Sequence, residues 1–150
     1  MATVQANTYN GRQLQDANLT VTQALPTAAT SVTATAIDTG DNTDGIFPEG
    51  IALEIICPAT PSLVSAKTIT YTVLADTVNP PTTVLTPSLT YVTTGTAGNG
   101  AALTAGTAKW RLPANTARYL AVQATTATAS GDNSAVSFTY RLLGAGTDSN

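Results

Sequence analysis

Hydrophobic and polar residues alternate with a period of two along much of this chain. The alternation is clearest in residues 19–23, 32–37, 51–57, 68–75 and 134–142. In the fourth of these segments, Ile69, Tyr71 and Val73 fall on one face and three threonines fall on the other. A strand with one buried and one solvated face has this pattern. Each segment is therefore predicted to be a strand of an antiparallel sheet.

Turn-forming residues separate these segments and predict how the strands are arranged. Short strands between such turns are typical of an all-β sandwich or barrel, here with about eight main strands. The sequence predicts a hairpin that joins 117–127 to 134–143 across 130–133. Pro87 lies inside the strand-like run 83–93 and cannot donate a ladder hydrogen bond, so that strand is expected at an edge or with a bulge. The best helix candidate is a short one, around 11–18.

The composition excludes several kinds of site. The 150 residues include no histidine, which removes a Ser-His-Asp triad and any metal site that uses His. Cys57 is the single cysteine, so neither an intramolecular disulfide nor a four-cysteine zinc site can form. Six Lys and Arg against nine Asp and Glu give a net charge of −3, which argues against nucleic-acid binding. Large-apolar runs are only a few residues long and predict no membrane span, and no cofactor is expected.

An acidic cluster at Asp38, Asp41 and Asp44 has part of the pattern of a calcium loop. When Gly45 is aligned with the glycine of that pattern, Gly40 takes the first ligand position and Ile51 the last. Neither residue supplies a side-chain oxygen. The sequence therefore favours an ordinary surface loop, and it leaves open whether the three aspartates bind a cation.

Catalytic chemistry finds little support among the other reactive residues. Glu49 and Glu54 could form a carboxylate pair for glycoside chemistry, but Glu49 belongs to a turn and Glu54 is expected to point outward from its strand. Cys57 shares the apolar face of segment 51–57 and is expected to be a buried core residue without a partner base. We therefore expect no enzymatic activity.

Three cations and two aromatic residues lie close together near the end of the chain. Lys109, Trp110 and Arg111 are followed within ten residues by Arg118 and Tyr119. Trp and Arg are enriched at interface hot spots, which predicts a contact patch. The same residues also fit a plain strand in which Trp110 points inward while Lys109 and Arg111 point outward. The two interpretations are compatible.

Short motifs in this region resemble those of capsid cement proteins of tailed phages, of the small jelly-roll type. The resemblance is carried by Trp110-Arg111-Leu112-Pro113, by Arg118-Tyr119-Leu120 and by a long final hairpin expected around Gly131. Upstream, Thr33 to Gly40 is similar to the segment that opens the jelly roll in that group, with Thr39 in place of the usual Leu. The resemblance covers roughly 30–143. It implies a jelly-roll β-sandwich, no enzymatic activity and a place on the outer surface of the virion, where the protein clamps major capsid protein subunits.

The first residues of the chain are predicted to form an arm. Residues 1–22 contain few large apolar side chains, whereas Arg12, Gln13 and Gln15 offer charge and hydrogen-bonding groups. We expect this extended N-terminal arm to contact another copy or the capsid protein, and 23–150 to form the jelly-roll domain.

A thin core and a sparsely charged surface predict a homo-oligomer, with a dimer favoured over a trimer. Two other kinds of protein stay open from the sequence. One is a carbohydrate-binding or adhesin-like sandwich, which needs an aromatic platform. The other is a different virion component, such as a tail or head-fibre module.

Overall fold

The computed structural model describes residues 15–40, 51–96 and 105–144, which contain nine strands and, over these ranges, no helix. The strands are β1 (Gln15–Ala24), β2 (Ser31–Thr33), β3 (Ile37–Asp38), β4 (Ala52–Cys57), β5 (Thr68–Asp76), β6 (Thr90–Thr94), β7 (Gly106–Arg111), β8 (Tyr119–Thr126) and β9 (Ser137–Leu143). The all-β prediction is confirmed. In the same ranges, no helical segment has the length and hydropathy that a bilayer span requires.

The strands form two antiparallel sheets, consistent with a β-sandwich. One sheet has the order β1-β9-β4-β7, and the other has the order β2-β8-β5-β6, with β3 also paired to β8. The pairs are nested along the chain, because β1 pairs with β9, β2 with β8, β4 with β7 and β5 with β6. Two further pairs, β4 with β9 and β5 with β8, complete the sheets.

Alternation along the strands places the core between the two sheets. In β4, Leu53, Ile55 and Cys57 are fully buried, as the sequence predicted. The ring of Tyr71 on β5 meets the ring of Phe138 on β9 edge to face, with centroids 5.4 Å apart. Aromatic pairs favour this geometry. Because β5 and β9 belong to different sheets, this contact holds the two layers together.

A buried tyrosine also connects the sheets through its hydroxyl group. Tyr140 on β9 contacts the backbone carbonyls of Thr35 and of Leu120 on β8, the latter at 3.2 Å. A hydroxyl group has one proton and donates to one carbonyl at a time. Burial raises the pKa of Tyr140, so the proton needed for this bond stays in place.

The predicted strand 32–37 corresponds to two short strands in the structure. The run 32–37 forms β2 and β3, which both pair with β8. Thr33 lies opposite Gln123, whereas Ile37 lies opposite Leu120, so the register shifts by one residue between the two strands. A one-residue bulge of this kind interrupts a ladder without ending it.

Two local predictions are wrong. The segments 117–127 and 134–143 do not form a hairpin, because β8 and β9 lie in different sheets. The loop between them instead bonds to the segment after β4: Val64 N donates to Ser130 O, and Ser62 N donates to Asn133 Oδ1. The prediction of a short helix around 11–18 is wrong for residues 15–18, because they lie in β1.

Other local predictions are confirmed. The strand around Pro87 is an edge strand, because β6 pairs only with β5 within the described sheets. The run 83–93 also breaks near Pro87, since β6 begins at Thr90. The boundary that the sequence places between residues 22 and 23 falls within β1, so 15–22 lie in the sheet, while 1–14 lie outside the described residues.

Candidate interaction surface

The edge strand β7 carries the predicted contact residues. It pairs with β4 and ends the order of its sheet. Lys109 and Arg111 are exposed, whereas Trp110 is half-buried and packs against the core. We call Lys109, Trp110 and Arg111 the β7 patch. Trp110 points toward the core and the two cations lie on the outer face of the sheet, which is the arrangement that the plain-strand interpretation predicts.

A charged row crosses the outer face of the same sheet. Glu54 on β4 lies opposite Arg141 on β9 and opposite Lys109 on β7. Arg141 donates a hydrogen bond from Nε to Glu54, and the side chains of this pair are 24% and 13% exposed. The ion pair compensates the charge of Arg141. Within the described residues, Lys109 and Arg111 have no ion-pair partner, so the β7 patch keeps its positive charge.

Arg118 does not share the β7 patch, because it directly precedes β8 in the other sheet. Its Nε donates to Asp38 Oδ1 at 2.7 Å, and its second terminal nitrogen donates to Asp38 Oδ2 at 2.8 Å. Its guanidinium also lies 5.0 Å from the centre of the Tyr119 ring. Bidentate pairing of this kind fixes the guanidinium in position. Arg118 therefore supports the fold, although it remains part of the surface.

The candidate catalytic and metal-binding residues that the structure describes are paired with other side chains or buried. Asp38 is occupied by Arg118, which holds the pKa of its carboxyl at about 2 together with the backbone N–H of Gly40. Asp41, Asp44 and Glu49 lie outside the described residues. Among the residues that are described, no three potential metal ligands of the His, Cys, Asp or Glu type come together. Burial raises the pKa of the Cys57 thiol to about 11, which keeps it protonated.

The predicted residues of the N-terminal arm are only partly described. Arg12 and Gln13 lie outside the described residues. Gln15 begins β1, where its backbone is in register with Leu143 of β9. The backbone at Gln15 therefore belongs to the sheet that also contains the β7 patch.

A second surface, on the other sheet, was not expected from the sequence. Its outer face contains two rows of residues in register across β2, β8, β5 and β6, which we call the hydroxyl face: Thr33, Gln123, Thr72 and Thr90 in one row, and Ser31, Thr125, Thr70 and Val92 in the next. None of these eight residues is charged. Gln123 Nε2 donates to Thr33 Oγ1 at 3.1 Å, which links two strands across the face. Alternation predicts which residues point outward, but only the strand order shows that they form one surface.

Neither a protein-family model nor a curated protein matches this chain.

Proposed function

We propose that this protein is a capsid decoration protein, or cement protein, of a tailed phage. In this role it binds the outer face of the phage head and clamps neighbouring major capsid protein subunits. The observation that carries the proposal is the nested strand pairing of β1 with β9, β2 with β8, β4 with β7 and β5 with β6. A long hairpin wound into two sheets has this order, and it supports the jelly roll that the sequence resemblance implies.

The hydroxyl face supports the proposal because of the way a decoration protein must bind. Such a protein buries a broad surface against the shell, and the centres of protein interfaces are depleted of charged residues. Thr, Ser and Gln side chains can exchange hydrogen bonds with water for hydrogen bonds with a partner without the cost of desolvating a charge. The rows through Thr72 and Thr70 provide such groups across four strands.

The β7 patch adds a second contact of different character. Lys109 and Arg111 lie at the edge of the opposite sheet from the hydroxyl face. Two unlike surfaces on two sheets fit a clamp that contacts two neighbouring subunits. In this proposal the partners are the major capsid protein and other copies of the chain, the protein lies on the virion surface, and neither enzymatic activity nor a cofactor is involved.

The carbohydrate-binding alternative has less support. It requires an exposed aromatic platform, on which sugar rings stack. Among the described residues, Tyr71, Phe138 and Tyr140 are fully buried, and Tyr91 and Trp110 pack partly against the core. These five aromatic side chains therefore serve the core. The ring of Tyr119, the remaining described aromatic residue, is covered by Arg118, so the described residues offer no flat exposed platform.

The test is binding to phage heads assembled without this protein. After incubation, the heads are sedimented and the bound protein is quantified against capsid protein, with a glycan array probed in parallel. We expect saturable co-sedimentation in a fixed ratio to the capsid protein and no glycan binding. Folded protein that stays in the supernatant at tens of micromolar would contradict the proposal, and binding to a specific glycan would favour the adhesin-like alternative.

A further inference from the structure

The edge strand β6 differs from β7 in having no charged side chain. No Asp, Glu, Lys or Arg occurs between Asp76 and Lys109, a span that contains the whole of β6. Natural edge strands are usually protected by charges, above all Lys, by Pro or by bulges. Lys109 and Arg111 protect β7 in this way, and Pro87 interrupts the sheet edge only before β6 begins. The five residues of β6 itself have no such protection.

Exposed apolar side chains are concentrated in the same span. Within the described residues, the large hydrophobic side chains that are exposed are Val78, Val84 and Val92. Val92 lies on β6, and Val84 lies beside β5 on the same edge, where it bridges to Leu74. Val92 is 48% exposed although it sits in the middle of a strand. An uncharged edge with exposed valines is typical of a surface that a partner covers.

The hydrogen bonds to β5 show which backbone groups of β6 have no partner among the described strands. Val73 N donates to Leu89 O at 3.1 Å, and Gly95 N donates to Lys67 O at 2.8 Å. In an antiparallel ladder, alternate residues direct their N–H and C=O groups to the same neighbour. The odd-numbered residues from 89 to 95 therefore bond to β5. Thr90, Val92 and Thr94 direct their backbone groups away from the sheet, and their side chains are exposed as well.

We propose that β6 is the pairing edge of a homodimer, in which two copies join antiparallel across a two-fold axis at Val92. In this register Thr90 lies opposite Thr94 of the other copy, and Val92 lies opposite its own equivalent. The register pairs only residues whose N–H and C=O groups point away from β5. Each of these N–H groups therefore meets a C=O group of the other copy. The dimer extends the sheet that contains β5 and β6 into one continuous sheet. This inference does not depend on the proposed function.

A second copy fits this edge better than an unrelated strand because of its symmetry and lack of charge. A two-fold axis places a strand opposite itself, so a strand with one charged residue near the axis opposes like charges, which destabilises the pair. The stretch from Thr90 to Thr94 contains no charge to be opposed. A two-fold interface uses the same surface of both copies, so each residue of β6 needs only to fit the β6 residue that it faces.

The register can be tested with two matched double variants. In Thr90→Lys/Thr94→Lys, the proposed dimer places lysines opposite lysines. In Thr90→Lys/Thr94→Glu, it places each lysine opposite a glutamate. Sedimentation velocity at tens of micromolar should show twice the 15.2 kDa monomer mass for the wild type, the monomer for the first variant and the dimer again for the second. Both positions are exposed, so the circular dichroism spectra should stay close to that of the wild type. The melting temperature should rise with protein concentration for the wild type and the second variant, but not for the first.

A cysteine cross-link provides a second measurement that does not rely on charge. Directly opposed, hydrogen-bonded residues have Cα atoms about 5.5 Å apart, within the range of a disulfide. Val92→Cys should therefore form a disulfide dimer under mild oxidation, whereas Thr107→Cys on the exposed edge β7 should not. Cys57 is buried and should not react. A monomeric wild type, a lysine–lysine variant as dimeric as the wild type, or equal cross-linking at Thr107 would each overturn the proposal.

Discussion

Arg118 and Asp38, 80 positions apart in the chain, form a bidentate ion pair at the end of β3. The next residue, Thr39, donates from its backbone N–H and from its hydroxyl to the carbonyl of Arg118, at 3.0 and 2.7 Å. β3 contains only two residues, so its ladder alone provides few bonds. These side-chain contacts therefore hold β3 against β8.

The ion pair predicts how stability responds to acid. Arg118 and the N–H of Gly40 lower the pKa of Asp38 from 3.8 to about 2, so folding favours the carboxylate. Its contribution to the free energy of unfolding is therefore fully present above pH 3.8 and is lost as the pH falls through about 2. In Asp38→Asn, the melting temperature should fall less steeply over this window than in the wild type. Some dependence should remain, because hydrogen bonds from the backbone of Thr77 and Ser134 also lower the pKa values of Asp76 and Asp132.

The check is a series of thermal melts across this pH range. Arg118→Gln serves as a control, because it leaves the carboxyl group at position 38 but removes its main partner. It should flatten the dependence in the same direction as Asp38→Asn. Parallel curves for the wild type and both variants would show that the pair does not contribute.

Two buried tyrosines should respond differently to removal of the hydroxyl group. Tyr140→Phe removes the bond from β9 to the carbonyl of Leu120 or Thr35 and should lower the free energy of unfolding by about 1–2 kcal/mol. Tyr71 is equally buried, but its hydroxyl group makes no hydrogen bond of good geometry among the described residues, and only the weakly hydrogen-bonding Cys57 thiol and the side chain of Thr93 lie beside it. Tyr71→Phe breaks no such bond and removes a buried polar group, so it should leave the free energy of unfolding unchanged or slightly higher. Urea unfolding measures both, and equal losses would contradict the assignment.

Two glycines with positive φ should differ in their tolerance of alanine. Gly40 has φ +89°, and a Cβ there meets no atom of the described residues within 4 Å. Gly131 has φ +81°, and a Cβ there would lie 2.0 Å from the carbonyl oxygen of Ser62. Gly40→Ala should cost only the backbone strain, about 1–2 kcal/mol. Gly131→Ala should cost about 2 kcal/mol more, because the loop must move away from Ser62. Similar unfolding midpoints for the two variants would contradict this account.

Reversal of charge in the β7 patch should weaken attachment to phage heads. Lys109→Glu/Arg111→Glu changes two exposed side chains that have no ion pair within the described residues. Because the first change sets a carboxylate opposite Glu54, the melting temperature is measured first to show that the variant is folded. If the patch contacts an acidic surface, affinity in the co-sedimentation assay should fall by roughly tenfold or more. Lys67→Glu, at a half-buried cation outside β7, is the control and should change affinity by less than about threefold. An equal loss of affinity in the β7 variant and in Lys67→Glu would mean that attachment depends on the net charge of the protein and not on the β7 patch.

The sequence predicted the strands better than their partners. The period of two placed Leu53, Ile55 and Cys57 correctly in the core, because alternation is a local property of the strand. It could not show which sheet a strand joins. Segments 117–127 and 134–143 have inward-facing apolar residues that meet across the core, and this pattern is the same for strands that lie side by side.

The interaction surfaces were predicted only in part for the same reason. Lys109, Trp110 and Arg111 are consecutive, so their arrangement follows from the strand alone. Glu54 and Arg141 are 87 positions apart, and the pairing of β4 with β9 brings them together. The sequence shows that no charged residue lies near β6. This points to an interface only once the structure shows that β6 is an edge strand.

The nested pairing also determines when each strand can pair with its neighbour during synthesis of the chain. Thr22 on β1 and Thr139 on β9 are hydrogen-bonded although 117 positions separate them. β1 has no other partner in the described sheets, so it leaves the ribosome long before the strand that completes it exists. The innermost pair, β5 with β6, is the first that can close, and closure then proceeds outward. Late, long-range pairing of this kind slows folding and leaves an early strand open to association with other nascent chains.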